Sequence, residues 1–323
     1  MNFFRITYLR LAWALTPPAK KQKRLDDALA ILRFWPDTRV LLELAEQEGI
    51  GISLKGALIG SGENGRLRHA MKEGKSYIEL APRAVEDVTK TLIHELRHVW
   101  QDKVLGLNAA NIRAEENGAL LSLLITRVKE ADAFAFANLI VHRMNQAGED
   151  LEEAAKMAKE IMARTAAAAL DDKGAEEINR HFAGKRKATL DEAKKEISEY
   201  FLEAVRGKAL EPYDRGQARR YHVLYTHPLL EPSAHAAADR QIDIPALRRV
   251  LRVGSGAEAP AYLDTLDDRA FAETVMAGVR PDVREALKLM DAFEAAAKGG
   301  LPANDNQALR EDIHKKLKAA LKP

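Results

Sequence analysis

Apolar residues recur at helical spacing along most of the chain. Between positions 84 and 105 one such stripe consists of Val85, Val88, Leu92, Leu96 and Val99. A stripe of this period is typical of an amphipathic helix with one buried face. Comparable patterns, punctuated by glycine and proline, predict further helices over residues 26–48, 112–146, 150–170, 188–206, 217–225, 246–252, 280–297 and 306–321. The sequence therefore predicts a mainly α protein.

A different pattern occupies residues 51–82, where glycine is frequent and short β-like runs stand at 52–54, 57–59 and 76–80. Residues 60–65 fit the G-x-G-x-x-G fingerprint of dinucleotide sites. The ten or so residues up to the next run are too few for a crossover helix with its loops, so we predict a hairpin loop. The fold class becomes mainly α (α+β), with one short β-sheet.

The length of 323 residues suggests two units at roughly 150 residues per domain. The change of pattern divides the chain into an N-terminal helical segment (1–48), a small α+β core (49–146) and a helical extension (147–323).

Composition excludes several kinds of site. The chain has no cysteine, which excludes a disulfide scaffold, a cysteine nucleophile, cysteine-ligated zinc and an iron–sulfur cluster. A metal site would have to use some of the nine histidines together with carboxylates. The net charge of +2 and the 6% aromatic content disfavour a nucleic-acid partner.

The first fifteen residues are largely apolar, but Arg5 and Arg10 interrupt them where a signal peptide needs an unbroken apolar run. No stretch approaches eighteen uncharged apolar residues, so we expect no transmembrane segment and a cytoplasmic location. A basic run at 20–24 follows. The N-terminus could therefore be a peripheral membrane anchor, or a short helix that packs on the body and stops at Pro17 and Pro18.

The strongest chemical signal is the motif H-E-x-x-H at residues 94–98. On a helix, His94 and His98 project from the same face and can converge on one zinc ion. Glu95 lies between them, where it can accept a proton from a metal-bound water as a general base. The competing interpretation is a structural histidine pair on a surface helix. Arg97 is a charge at a position where many zinc proteases carry an uncharged residue, and it could face solvent or pair with an acidic group.

A third ligand has to come from the following helix, which offers Glu115, Glu116, Glu130 and Asp132. Glu116 and Glu130 share a helix face about 21 Å apart along the axis, so only one can reach the metal. A tight hairpin near residues 107–111 favours Glu116, whereas a looser connection with a break at Asn117 and Gly118 favours Glu130. The residues alone leave this choice open.

The segments 91–101 (TLIHELRHVWQ) and 127–135 (RVKEADAFA) resemble the zincin metallopeptidases. They are most similar to a bacterial family of metallopeptidase-like domains of uncharacterised function, and more distantly to gluzincin-type families. The resemblance covers residues 50–145 and implies a zincin-like core with an active-site helix. It implies His94, His98 and Glu130 as zinc ligands and Glu95 as the general base. Asp132 could then accept a hydrogen bond from a ligand histidine, or be a solvated charge.

These observations predict a zinc-dependent hydrolase, and within that class a metallopeptidase acting on protein or peptide substrates. A peptide could add to a strand beside the metal helix. The alternative is a non-catalytic helical interaction module that keeps a zincin-like core, because the long helical extension carries no specificity motif.

Overall fold

A computed structural model describes residues 17–54, 65–69, 76–80, 88–107, 118–147, isolated positions between 156 and 177, and residues 189–226, 247–256, 259–298 and 303–320. The apolar N-terminus (1–16) and Glu116, which the sequence offered as a membrane contact and an alternative ligand, lie outside the described residues.

The described part is mainly helical with one short sheet, which confirms the coarse fold class. The helices are α1 (Pro18–Phe34), α2 (Pro36–Gln47), α3 (Val88–Lys103), α4 (Ala119–Ala147), α5 (Leu190–Arg206), α6 (Glu211–Thr226), α7 (Asp268–Met276), α8 (Pro281–Lys298) and α9 (Ala303–Ala320). The strands are β1 (Gly51–Leu54), β2 (Gly65–His69) and β3 (Ser76–Leu80). None of the described helices is long and apolar enough to cross a membrane.

The sheet has the order β1-β3-β2, in which β1 pairs with β3 in parallel and β2 pairs with β3 in antiparallel register. Ile78 of β3 stands opposite both Ile52 and Leu67 and is fully buried. Strands β2 and β3 form an antiparallel pair, whereas the hairpin loop predicted at 60–65 lies almost entirely outside the described residues. A strand directly follows the glycine-rich run, where a dinucleotide fingerprint requires a helix.

Two helices begin earlier than the expected bounds of residues 26 and 217, and each has a proline in its first turn. Helix α1 begins at Pro18 and α6 begins at Glu211, directly before Pro212. The first turn tolerates proline because its N–H groups have no partner within the helix. The sequence missed α7, whose N-cap Asp267 accepts a hydrogen bond from the backbone N–H of Ala270 at 2.7 Å.

The chain forms two compact units. The first comprises Met1–Val104, Ala133–Ile197 and Val253–Pro260, and the second comprises Leu105–Asp132, Ser198–Arg252 and Ala261–Pro323. The regions 1–48, 49–146 and 147–323 stay a prediction of sequence organisation.

In the first unit α3 contacts α1, α2, β2 and β3. Every residue of α3 from Thr91 to Asp102 is buried, although the sequence predicted a single apolar stripe. Burial of the whole circumference excludes the surface-helix interpretation of the histidine pair.

The second unit is built around α6, α8 and α9, which contact one another. The fully buried Arg127 donates hydrogen bonds to the carboxylate of Asp214 at 2.5 Å and to the carbonyls of Val205 and Val275 at 2.6 and 2.8 Å. A buried guanidinium is tolerated when its donors are used in this way.

Candidate metal centre

Helix α3 places the two histidines of the motif side by side. Their Nε2 atoms lie 3.1 Å apart, and the rings are nearly perpendicular with centroids 4.7 Å apart. Both side chains are buried, at 7% exposure for His94 and 9% for His98. Two ring nitrogens bound tetrahedrally to one zinc at 2.0–2.1 Å would be separated by about 3.3 Å. The observed spacing therefore fits a shared ion of this size with little movement.

The structure brings Glu130 to the same place. One ligand atom from each of His94, His98 and Glu130 lies within 4.8 Å of the other two, and Glu130 is half-buried. It is the only group of three histidine or carboxylate side chains with such spacing found among the described residues. One turn after Glu130 on α4, Phe134 packs its ring against His94 with centroids 4.5 Å apart. This ring contact restricts how His94 can rotate.

A buried glutamine contacts the other ring nitrogen of His98. Nδ1 of His98 lies 2.8 Å from Oε1 of Gln101, which is fully buried one turn later on α3. The amide oxygen is an acceptor, so the bond requires the proton on Nδ1 and leaves the Nε2 lone pair toward His94. Neither Gln101 nor Phe134 was predicted as a site residue from the sequence. Their spacings of three residues from His98 and four from Glu130 are the signals that could have found them.

Glu95, the predicted general base, is not a member of the three-residue group. It is 5% exposed and lies on the turn of α3 between the two histidines. Its carboxylate is therefore largely shielded from bulk water beside the candidate ligands.

Arg97 is fully buried, so the expectation that it could face solvent is wrong. Its guanidinium lies over the rings of Trp100 and Phe136, at 4.0 and 4.5 Å from their centroids, and donates a hydrogen bond to the carbonyl of Gly254 at 2.8 Å. An acidic group is also close enough to interact electrostatically. Burial raises the pKa of Asp37, and the positive charges of Arg143 and Arg97 oppose this rise.

Asp132 is also buried rather than a solvated charge, which corrects one of its two predicted roles. Its Oδ1 accepts a hydrogen bond from the hydroxyl of Tyr262 at 3.0 Å. Asp132 does not belong to the group that could hold a metal. Its role as an acceptor for a ligand histidine stays a prediction.

Comparison with known proteins identified no similar protein. No protein-family model, no curated protein and no solved structure matches this chain.

Proposed function

We propose that this chain is a zinc-dependent hydrolase of the metallopeptidase class, with His94, His98 and Glu130 as ligands. The observation that carries the proposal is the group of these three side chains, two buried and one half-buried, whose ligand atoms lie within 4.8 Å of one another. Glu95, between the two histidines in the sequence, is also buried. A chance H-E-x-x-H has no reason to be joined by a carboxylate from a separate helix.

The donor set supports zinc among the common metals. Two imidazoles and one carboxylate are a ligand set used by catalytic zinc, whereas magnesium and calcium prefer oxygen ligands. Non-haem iron(II) uses the same three ligand types, so metal analysis has to distinguish the two ions. When bound, zinc would supply Lewis acidity, which lowers the pKa of water and polarises a carbonyl.

The protein residues then have separate tasks. His94, His98 and Glu130 would hold the zinc ion, which would supply Lewis acidity to a water or a substrate carbonyl. Glu95 accepts a proton from the attacking water and returns it to the leaving amine. Burial of α3 keeps bulk water from competing for these groups. We propose proteins or peptides as the substrate class.

Metal content and a single carboxylate substitution test the proposal together. We expect purified protein to contain about one zinc ion per chain. Glu95→Gln should keep the zinc, because its neighbours supply the ligands, and should lose at least about 100-fold in peptide hydrolysis, since general acid–base catalysis contributes at least this much. Elemental analysis and a casein or peptide-library assay measure the two quantities.

Two histidine variants serve as controls. His94→Ala should lose the zinc, whereas His314→Ala, at an exposed position on α9, should change neither zinc content nor turnover. Folded wild-type protein without zinc would overturn the proposal. Zinc without hydrolysis of any peptide would instead favour the non-catalytic interaction module.

A further inference from the structure

Gln101 is a buried amide placed against one candidate ligand. It is fully buried on α3, and its Oε1 lies 2.8 Å from Nδ1 of His98. A buried amide is costly unless its polar atoms have partners. In helices, side chains lean toward the N-terminus, so a residue at position 101 covers the turn that carries position 98. The helix geometry alone therefore directs the amide to His98.

The contact has a consequence for the tautomer of the imidazole. Neutral histidine carries one proton, and the nitrogen without it supplies the lone pair that binds a metal. With the proton held on Nδ1 by the amide oxygen, the lone pair of His98 is on Nε2, which faces Nε2 of His94 at 3.1 Å.

We propose that Gln101 is a positioning residue that fixes the Nδ1–H tautomer of His98 and so holds its Nε2 ready for a metal ion. The metal part of this inference rests on the proposed function, and the tautomer part does not. Outer partners that orient ligand histidines typically contribute 10–100-fold to metal affinity.

A pair of substitutions separates hydrogen bonding from packing. Gln101→Met keeps the length of the side chain and removes the acceptor oxygen, whereas Gln101→Glu keeps both the length and an acceptor oxygen. Circular dichroism of each variant checks that it is folded. A purely structural role for position 101 predicts that both variants behave alike.

The first measurement is the ¹⁵N spectrum of histidine side chains in metal-free protein, with the His98 signals assigned by their loss in His98→Asn. Wild type and Gln101→Glu should show His98 protonated on Nδ1, and Gln101→Met should show protonation transferred to Nε2. The second measurement is Zn²⁺ affinity by competition with a chelator. Gln101→Met should bind Zn²⁺ about 10–100-fold more weakly, and Gln101→Glu should bind at least as tightly as wild type.

Equal behaviour of the two variants, whether both lose or both keep the tautomer, would overturn the inference. Because the spectrum is recorded without metal, it remains decisive even if the wild-type protein binds no zinc or cleaves no peptide. Failure of the proposed function and failure of this inference are thus distinguishable.

Discussion

Glu130 and Glu116 show why single residues of the site could not all be assigned from sequence. Both follow the H-E-x-x-H motif in the sequence. Which of them can be the third ligand depends on where the connection after α3 ends and α4 begins. In the structure Gly118 has a φ of +74° and α4 begins at Ala119, which agrees with the predicted break at Gly118. A positive φ favours glycine, so the break could be anticipated, but the approach of Glu130 to the histidines could not.

The third ligand can be tested by paired substitutions. Glu130→Gln should weaken Zn²⁺ binding by more than about 100-fold, because loss of an outer partner alone costs 10–100-fold. Glu116→Gln should change it by less than about 3-fold, within the range of a surface charge near a bound cation. Chelator competition measures both. The reverse ranking would make Glu116 the ligand and the connection a tight hairpin.

Arg97 and Gln101 show a second limit on what could be predicted from the sequence. Their residue types and positions are plain in the sequence, but their partners are not. Arg97 donates to a carbonyl that is 157 residues away, at Gly254. The role of Gln101 depends on which ring nitrogen of His98 carries a proton. Sequence therefore predicted the members of the H-E-x-x-H motif, while the groups that orient them emerged only from packing.

At the scale of elements, long helices with a strong apolar period were predicted best. Helix α3 was expected at 84–105 and is described over Val88–Lys103, and α8 and α9 lie within three residues of their expected bounds. Strand β2 was missed because its sequence GRLRH has a single aliphatic residue and lacks β-branched residues. Its strand conformation comes from pairing with β3. The parallel pairing of β1 with β3 likewise depends on tertiary structure.

The burial of α3 leads to a stability prediction. Arg97→Met should lower the free energy of unfolding by about 2–4 kcal/mol, because it removes two cation–π contacts and a buried hydrogen bond to Gly254. Arg164→Met is the control, since Arg164 is 67% exposed in its ion pair with Glu177 and should cost less than about 0.5 kcal/mol.

Urea unfolding of chelator-treated protein, followed by circular dichroism, measures both variants without a contribution from bound metal. Similar losses for Arg97→Met and Arg164→Met would show that the buried guanidinium does not stabilise α3.

At the scale of the whole molecule, each unit is assembled from segments that are distant in sequence. In the second unit, Asp291 of α8 accepts hydrogen bonds from the backbone N–H groups of Ala119 and Leu120 at 2.6 and 3.2 Å, and thereby caps α4 across more than 170 residues. Local patterns predicted both helices but carry no information on such a cap. Which distant segments pack together within each unit could therefore not be predicted from the sequence.

This cap has a pH dependence that can be measured. Burial raises the pKa of Asp291 above its ordinary value of 3.8, and the two backbone hydrogen bonds only partly offset this. The folded state then holds the proton more tightly than the unfolded state, so ionisation costs stability as pH rises from 3.8 through the folded-state pKa. Relative to Asp291→Asn, which keeps an acceptor oxygen, wild type should lose stability as the pH rises above about 3.8.

Asp282 provides a control of opposite sign on the same helix. Burial raises its pKa, but the hydrogen bond and charge of Arg280 outweigh this and hold the pKa below 3.8. Relative to Asp282→Asn, wild type should therefore gain stability as pH rises toward 3.8. Urea unfolding across a pH series compares the two pairs. If the stability difference changed with pH in the same direction for both aspartates, the opposite pKa shifts assigned to Asp291 and Asp282 would be contradicted.

The stacking of Arg97 on Trp100 has an optical consequence. Trp100 is 1% exposed and lies two residues after His98, a rise of about 3 Å along α3. An indole in this environment emits at shorter wavelength than one in water, and a nearby paramagnetic ion such as Co²⁺ would quench its emission. Because the chain has three tryptophans, a variant that keeps only Trp100 would let its fluorescence report both the unfolding of α3 and the binding of a metal beside it, without any attached dye.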